Sequence, residues 1–188
     1  TLGADLGVVI SASHNPYQDN GIKFFDREGG KLSDAIEAAI EARLESPAVT
    51  RESSQLGRAK RVDNALQSYQ NFCISTVPPE LRLDGLKIVV DCSHGAAYKV
   101  APRVLTELGA EIVPIGCSPN GRNINDGCGS MKPQLLQLTT TGVRADLGVA
   151  LEKALGVAGH RADDRDRQKD VDRDEDAEDL VAAVGDQD

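Results

Sequence analysis

Apolar residues fall along this chain in short runs separated by polar turns, and the period of the runs changes with position. Leu6-Gly7-Val8-Val9-Ile10 is continuous and β-branched, which predicts a short buried strand. Ile22–Asp26 predicts a second strand, with Asn20-Gly21 as the turn before it and Glu28-Gly29-Gly30 as the turn after it. The period then lengthens. Ile36, Ile40 and Leu44 recur every four residues, which is the stripe of a helix from Asp34 to about Glu45, with Ser33 at its N-cap and Pro47 just beyond its end. Ala48–Lys60 is polar and weakly patterned, as expected of a connection. Asp63 stands where it can cap a second helix, Asn64 to about Cys73, with Leu66, Tyr69 and Phe72 or Cys73 on one face.

The pattern after Pro78-Pro79 is that of a parallel sheet. Leu86–Val90 predicts a buried strand ending at Asp91, and the turn Cys92-Ser93-His94-Gly95 leads into a helix from about Ala97 to Leu108. Gly109 stands in the usual stop position of that helix, and Glu111–Ile115 predicts the next strand. Strand, helix and strand in this order form a βαβ unit, which implies parallel pairing with a helix laid on the sheet. Ser118–Lys132 is a long loop rich in Gly and Asn. Pro133–Thr141 starts as a helix, although three consecutive threonines oppose it, and Leu147–Leu151 predicts a last strand. Beyond Leu155 the periodicity is lost, and Ala162–Asp179 has almost no apolar residues, which predicts disorder or at most a weak helix. The expected organisation is therefore α/β, with segments 1–63 and 64–151 as two domains and 152–188 as a disordered acidic tail.

Composition refines this picture. Of 188 residues, 40% are hydrophobic but only 3% aromatic, and Trp is absent, so the core must be aliphatic. The net charge of −9 argues against nucleic-acid binding. That charge is uneven: residues 159–188 carry 12 acidic and 5 basic side chains, so the body of the chain is close to neutral. No run of 18 apolar residues suggests a membrane span, and Thr1–Asp5 has no signal-peptide pattern. The chain enters its first strand almost at once without an initiator Met, and we expect residues to precede it. Cys73, Cys92, Cys117 and Cys128 form no C-x-x-C pair and, with three His, no zinc pattern, so reduced thiols and a cytoplasmic location are expected. Cys128, in its Gly-rich loop, is a candidate exposed thiol.

The chemistry concentrates where the first strand ends. Ser11-Ala12-Ser13-His14-Asn15-Pro16 brings a hydroxyl, an imidazole and a carboxamide into one turn, and Lys23 returns on the following strand. Phosphoryl transfer needs an acceptor oxygen and groups that neutralise charge on the moving phosphoryl. Ser13 supplies the oxygen, His14 and Asn15 can donate hydrogen bonds, and Lys23 can serve as a point charge or proton shuttle. The same residues are also ordinary turn formers, since Ser and Asn bond to local backbone and Pro fixes φ.

The segment Ile10–Phe24, I-S-A-S-H-N-P-Y-Q-D-N-G-I-K-F, resembles the active-site loop of the α-D-phosphohexomutase superfamily, enzymes that move phosphate between the 6- and 1-hydroxyls of hexoses. A second stretch, Pro119–Ser130, resembles the P-N-G-x-N-I-N-x-x-C-G-S loop of the phosphoglucosamine mutases, and Val89–Ala96 resembles the start of that family's second domain. The likeness covers about Thr1 to Leu151. It implies three-layer α/β/α domains, one partial and one nearly complete. It implies conversion of glucosamine 6-phosphate to glucosamine 1-phosphate through glucosamine 1,6-bisphosphate, on the way to UDP-N-acetylglucosamine and cell-wall precursors. A phosphomannomutase or phosphoglucomutase is the alternative within the same chemistry.

By this resemblance Ser13 carries the phosphate and, through it, one oxygen ligand of Mg²⁺. Lys23 matches a lysine near the reacting hydroxyl, and His14 and Asn15 match positions that shape the phosphoserine loop. Ser11 and Asn20 fall in the same loop as supporting positions, Ser11 reading equally as a strand-end hydroxyl. His94 reads as a turn or interdomain residue. The family strand resembling Ala145–Leu151 runs on into D-G-D-G-D-R, whose three Asp hold the metal. Here the chain reads Glu152-Lys153-Ala154-Leu155-Gly156-Val157 instead, and Asp163-Asp164-Arg165-Asp166-Arg167 lacks the glycines of a tight loop. The Asp triplet is thus absent, and a lysine beside the remaining carboxylate would repel a divalent cation. The abrupt loss of pattern suggests an out-of-frame or joined segment. By the resemblance, the family's early domain-one arginine, its sugar-selecting loop and its terminal phosphate-binding domain are expected to have no counterpart among these 188 residues. The expectation is a small-molecule hexosamine phosphate partner, no nucleic acid, no membrane, and little or no activity in the chain as it stands, with a non-catalytic remnant as the competing reading.

Overall fold

The computed structural model of the protein describes residues 3–151 and the backbone of Ala182–Gly185. The described chain divides into two compact units. One holds the chain up to Ser11 together with Gly21–Asn64; the other holds Ala12–Asn20 and the chain from Ala65 onward.

The first unit contains strands β1 (Gly7–Ser11) and β2 (Gly21–Phe25) and helix α1 (Asp34–Leu44). The strands pair antiparallel, with Ile10 opposite Ile22 and Val9 opposite Lys23. Gly29 takes the left-handed conformation in the turn that follows, where Asp26 accepts the N–H groups of Glu28 and Gly30. The expectation of a buried first strand fails here: Val8 is 54% and Ile10 73% exposed. A two-stranded ribbon has no second layer of its own, so its apolar face stays open. The same holds for α1. Its four-residue stripe is present, but Leu44 and Ile36 are exposed. Ser33 occupies the N-cap with its carbonyl accepting from Glu37, while its hydroxyl makes no cap bond.

The second unit is a layered α/β fold. Strands β3 (Lys87–Asp91), β4 (Glu111–Ile115), β5 (Leu147–Ala150) and β6 (Ala182–Gly185) form a sheet of order β4-β3-β5-β6. β3 is central and parallel to both β4 and β5, as the βαβ pattern predicts; β6 is antiparallel to β5. Alternation along β3 divides the core. Ile88 and Val90 face a cluster with Ala101 and Leu105 of helix α3 (Val100–Glu107), together with Cys92 and Tyr98. Val89 faces the opposite cluster with Leu136 of helix α4 (Gln134–Gly142), Ala145 and Ala150. The sheet is thus covered on both sides, and helix α2 (Ala65–Ser75) packs on α3. Val89, Val90 and Leu136 are wholly buried, each a contribution of about 1.5–3 kcal/mol.

Local chemistry explains two features that sequence propensity opposes. Pro102 stands in the first turn of α3, where its missing N–H would have had no partner within the helix. The threonines of α4 are accommodated because Thr139 and Thr140 donate their hydroxyls back to the carbonyls of Leu135 and Leu136. On α2 the side facing inward carries Cys73 rather than Phe72, which is exposed, and the buried residue at its centre is Gln70.

The predicted disordered tail, 152–188, lies mostly outside the described residues. Ala182–Gly185 departs from that expectation: these residues form β6, which overlaps the apolar run Leu180-Val181-Ala182-Ala183-Val184, and pair with the edge of β5. Among the described residues no helix is long and apolar enough to cross a membrane.

Candidate active site

The site grows from the carboxyl ends of β3 and β5, where loops of a parallel sheet collect. Asp91, the last residue of β3, is fully buried, and both its oxygens are engaged. Oδ1 accepts the N–H of Ser93 at 2.9 Å and Oδ2 accepts the N–H of Gly129 at 2.7 Å. A carboxylate held by backbone donors is the arrangement that makes a buried acid tolerable. Ser93 donates its hydroxyl to the Leu151 carbonyl at 2.5 Å, and Leu151 in turn donates its N–H to the Asp91 carbonyl. The end of β5 is therefore tied to the turn after β3.

That turn is left-handed at two successive residues, Ser93 (φ 51°) and His94 (φ 52°). His94 donates its N–H to Gly116 and accepts the Ser118 N–H on Nδ1 at 3.1 Å. It is a turn residue, as the sequence suggested. Gly116 is needed beside it: at φ 61° a Cβ would run into Asp91 Oδ1 and the Ser93 nitrogen.

The Gly- and Asn-rich loop is ordered by its own amides. Asn123 accepts the Asn120 N–H at 2.9 Å and donates to the Ser118 carbonyl at 3.0 Å, while Asn120 accepts the Arg122 N–H. Asn125, left-handed at φ 58°, donates its backbone N–H to the Ser93 carbonyl. Its side-chain Nδ2 donates to the carbonyls of Ser13 and Asn15, each at 2.8 Å.

The Ser13 loop is therefore held within the second unit. Ser13 itself is left-handed (φ 51°) and half-buried, and the turn closes with the Asn15 N–H on the Ala12 carbonyl at 2.9 Å. His14 is exposed and Asn15 half-buried. Pro16 leads into a single 3₁₀ turn, Tyr17–Asp19, and Asn20 closes it by donating to the Tyr17 carbonyl at 2.9 Å. Ser11 ends β1 and Lys23 lies in β2, both half-buried and both in the first unit. Ser13, His14, Asn15 and Asn20 are thus brought together in the second unit, and Ser11 and Lys23 belong to the hairpin.

The cysteines are free. Cys128 is buried rather than exposed, because the Asp91–Gly129 bond draws its loop onto the sheet. Burial, followed by the carboxylates of Asp91 and Asp126, pushes its thiol up to about 11. Burial likewise pushes the Cys92 and Cys117 thiols above the ordinary range. None of the three has the character of a nucleophile.

Among the described residues no three His, Cys, Asp or Glu side chains stand together so as to hold a metal ion. Mg²⁺ takes several oxygen ligands, and the oxygens of Asp91 are committed to backbone donors. The described residues alone do not fit that ion. Sequence reasoning singled out the Ser13 loop and the Asn-rich loop separately; it did not find Asn125 as the residue joining them, nor Asp91 as the anchor beneath. Asn beside Gly marks left-handed backbone, but no local signal reports a partner more than a hundred residues away.

Residues 1–50 match the family described as Phosphoglucomutase/phosphomannomutase, alpha/beta/alpha domain I. Similar curated proteins include the phosphoglucosamine mutases of Chromobacterium violaceum, 57% identical over 151 residues, and of Polynucleobacter asymbioticus, 60% identical over 151 residues. Each alignment covers 80% of this chain and 34% of the relative, so the chain spans about a third of the length of the curated relatives it matches. In fold, the chain is similar to a crystal structure of a phosphoglucomutase/phosphomannomutase family protein from Burkholderia thailandensis, with a TM-score of 0.60 and 24% identity over 78% of this chain and 31% of that one. The family model thus matches the segment that carries the Ser13 loop, four-fifths of the chain is similar to phosphoglucosamine mutases, and the solved structure shares the fold.

Proposed function

We propose that this chain is the phosphoserine-loop and second-domain portion of a phosphoglucosamine mutase, with Ser13 as the phosphoryl carrier. The observation that carries the reading is the left-handed Ser13 turn, held by the Asn-rich loop that itself resembles the phosphoglucosamine mutase pattern. In the proposed step a sugar hydroxyl oxygen attacks phosphorus on phospho-Ser13, a new O–P bond forms, and the bond to Oγ breaks with its electron pair left on Oγ. Lys23 takes the hydroxyl proton in one direction and returns it in the other. Transfer back from the second phosphate of glucosamine 1,6-bisphosphate restores phospho-Ser13. His14 and Asn15 donate to phosphate oxygens, and Ser11 and Asn20 support the loop.

The substrate class is a hexosamine phosphate, and a cytoplasmic setting fits reduced thiols. Mg²⁺ belongs to the resemblance for the whole enzyme; the described residues do not complete its site, so no step is drawn through it. The chain alone is proposed to turn over little or not at all. The sequence Glu152-Lys153 in place of an Asp-rich loop also favours a second reading, a non-catalytic remnant of such an enzyme.

The test is incubation with glucosamine 1,6-bisphosphate and Mg²⁺, read by intact mass and peptide mapping beside a coupled mutase assay. One phosphoryl group on Ser13, absent in Ser13→Ala, with negligible turnover is the expected result. No phosphate at Ser13 would leave the remnant reading, and sustained turnover abolished by Ser13→Ala would overturn the claim of inactivity.

A further inference from the structure

Ser13, Ser93 and Asn125 are three left-handed residues, and Asn125 is hydrogen-bonded to each of the other two. Asn125 binds the Ser93 carbonyl through its backbone N–H and the Ser13 carbonyl through its side chain. Non-glycine residues persist in this conformation only where their surroundings enforce it, and such residues cluster where a side chain must be aimed. The Asn125 amide has two N–H bonds, and both are used, one on Ser13 and one on Asn15. Two carbonyl partners also fix which end of the amide faces the loop, because only the nitrogen can donate. Behind Asn125, Ser93 is fastened to Asp91 and Leu151, the ends of two parallel strands.

We infer that Asn125 is a positioning residue for Ser13. Its amide clamps the carbonyls on either side of His14 and so holds Ser13 in the left-handed conformation that aims its hydroxyl. Released, Ser13 relaxes toward an ordinary φ and Oγ swings away from its working direction. The clamp stands on the geometry alone; its use in phosphoryl transfer rests on the reading of Ser13 given above. It deepens that reading by assigning a second-unit residue to the orientation of the phosphate carrier.

The left-handed φ of Asn125 permits a clean test. Asn125→Gly keeps that backbone conformation accessible and removes only the amide. Asn125→Asp keeps the shape but presents a carboxylate to two carbonyls. NMR hydrogen exchange of the Asn15 amide, which closes the turn, reads the loop, and the amides of Val89 and Val90 read the core. The expected result for Asn125→Gly is a loss of Asn15 protection on the order of tenfold or more, with Val89 and Val90 unchanged. Asn125→Asp should lose protection at neutral pH. It should regain part as pH falls through the carboxyl's titration, near about 3.9 when unperturbed, since the protonated acid can donate once. A merely structural asparagine would not produce that recovery. Unchanged Asn15 protection in Asn125→Gly, equal loss in the core, or a pH-independent loss in Asn125→Asp would each overturn the clamp. Phosphate uptake on Ser13 separates the two ideas. Uptake as fast in Asn125→Gly as in the parent overturns positioning, whereas no uptake in the parent with the exchange pattern intact sinks the phosphoryl reading and leaves the clamp.

Discussion

The buried carboxylate of Asp91 accepts the backbone N–H of Gly129 at 2.7 Å, across 38 residues of sequence. One oxygen thereby pins the far end of the Asn-rich loop, while the other holds the turn at Ser93. Both donors belong to buried residues. Asp91→Ala should therefore destabilise the protein by roughly 2–5 kcal/mol, from two buried N–H groups left unsatisfied. Asp91→Asn should cost less, since its oxygen can still accept one of the two bonds. Urea denaturation with fixed slope checks both, and a loss under about 0.5 kcal/mol for Asp91→Ala would show that the loop repacks freely.

Two glycines of the same loop should respond differently to alanine. Gly127 (φ 69°) has nothing within 4 Å of an added Cβ, so Gly127→Ala costs only left-handed strain, about 1–2 kcal/mol. Gly129 (φ 84°) would place its Cβ 2.6 Å from Ser93 Oγ, adding an overpacking cost of about 1–3 kcal/mol. Gly129→Ala should also weaken the bond to Asp91 that its own N–H makes. Thermal melts of the two variants side by side test the ranking, which equal losses would contradict.

The second unit was largely legible in the sequence, because its signals are local and mutually consistent. The continuous β-branched run of β3, the glycine after α3 and the return strand Glu111–Ile115 define a βαβ unit from chemistry within a few residues of each element. Burial in the first unit was not legible. The apolar residues of β1 and α1 are the right kind for a core, yet burial depends on a covering layer that the strand's own residues do not report. The site divides the same way. Ser13 stands out through its turn neighbours, but Asn125 acquires its role from a contact 112 residues away.

Cysteine chemistry gives a pH-dependent prediction. Cys128 ionises at about 11 in the folded chain, against an ordinary value of 9.0. Between those two values the unfolded thiol has lost its proton and the folded one has kept it. The contribution to stability is therefore whole below about pH 9 and disappears as pH rises toward 11. Cys128→Ala should flatten the fall in urea midpoint across this window. At pH 8 the native thiols of Cys92 and Cys128 should resist iodoacetamide and react only after unfolding; labelling of Cys128 at the denatured rate would contradict its burial.

The hairpin presents a different balance. Ile10 and Ile22 are cross-strand partners on one face, 73% and 62% exposed. A contiguous apolar face of this kind promotes association more than it stabilises the chain that bears it. Thr keeps the β-branched shape that suits a strand, so Ile22→Thr should change unfolding free energy by no more than about 0.5 kcal/mol. It should also reduce dye binding and concentration-dependent scattering. The same exchange at Val90, wholly buried in β3, places a hydroxyl in an aliphatic core and should cost about 1–3 kcal/mol. Denaturation and light scattering on the two variants decide the matter: a loss above about 1.5 kcal/mol for Ile22→Thr would mean that this face is packed in solution.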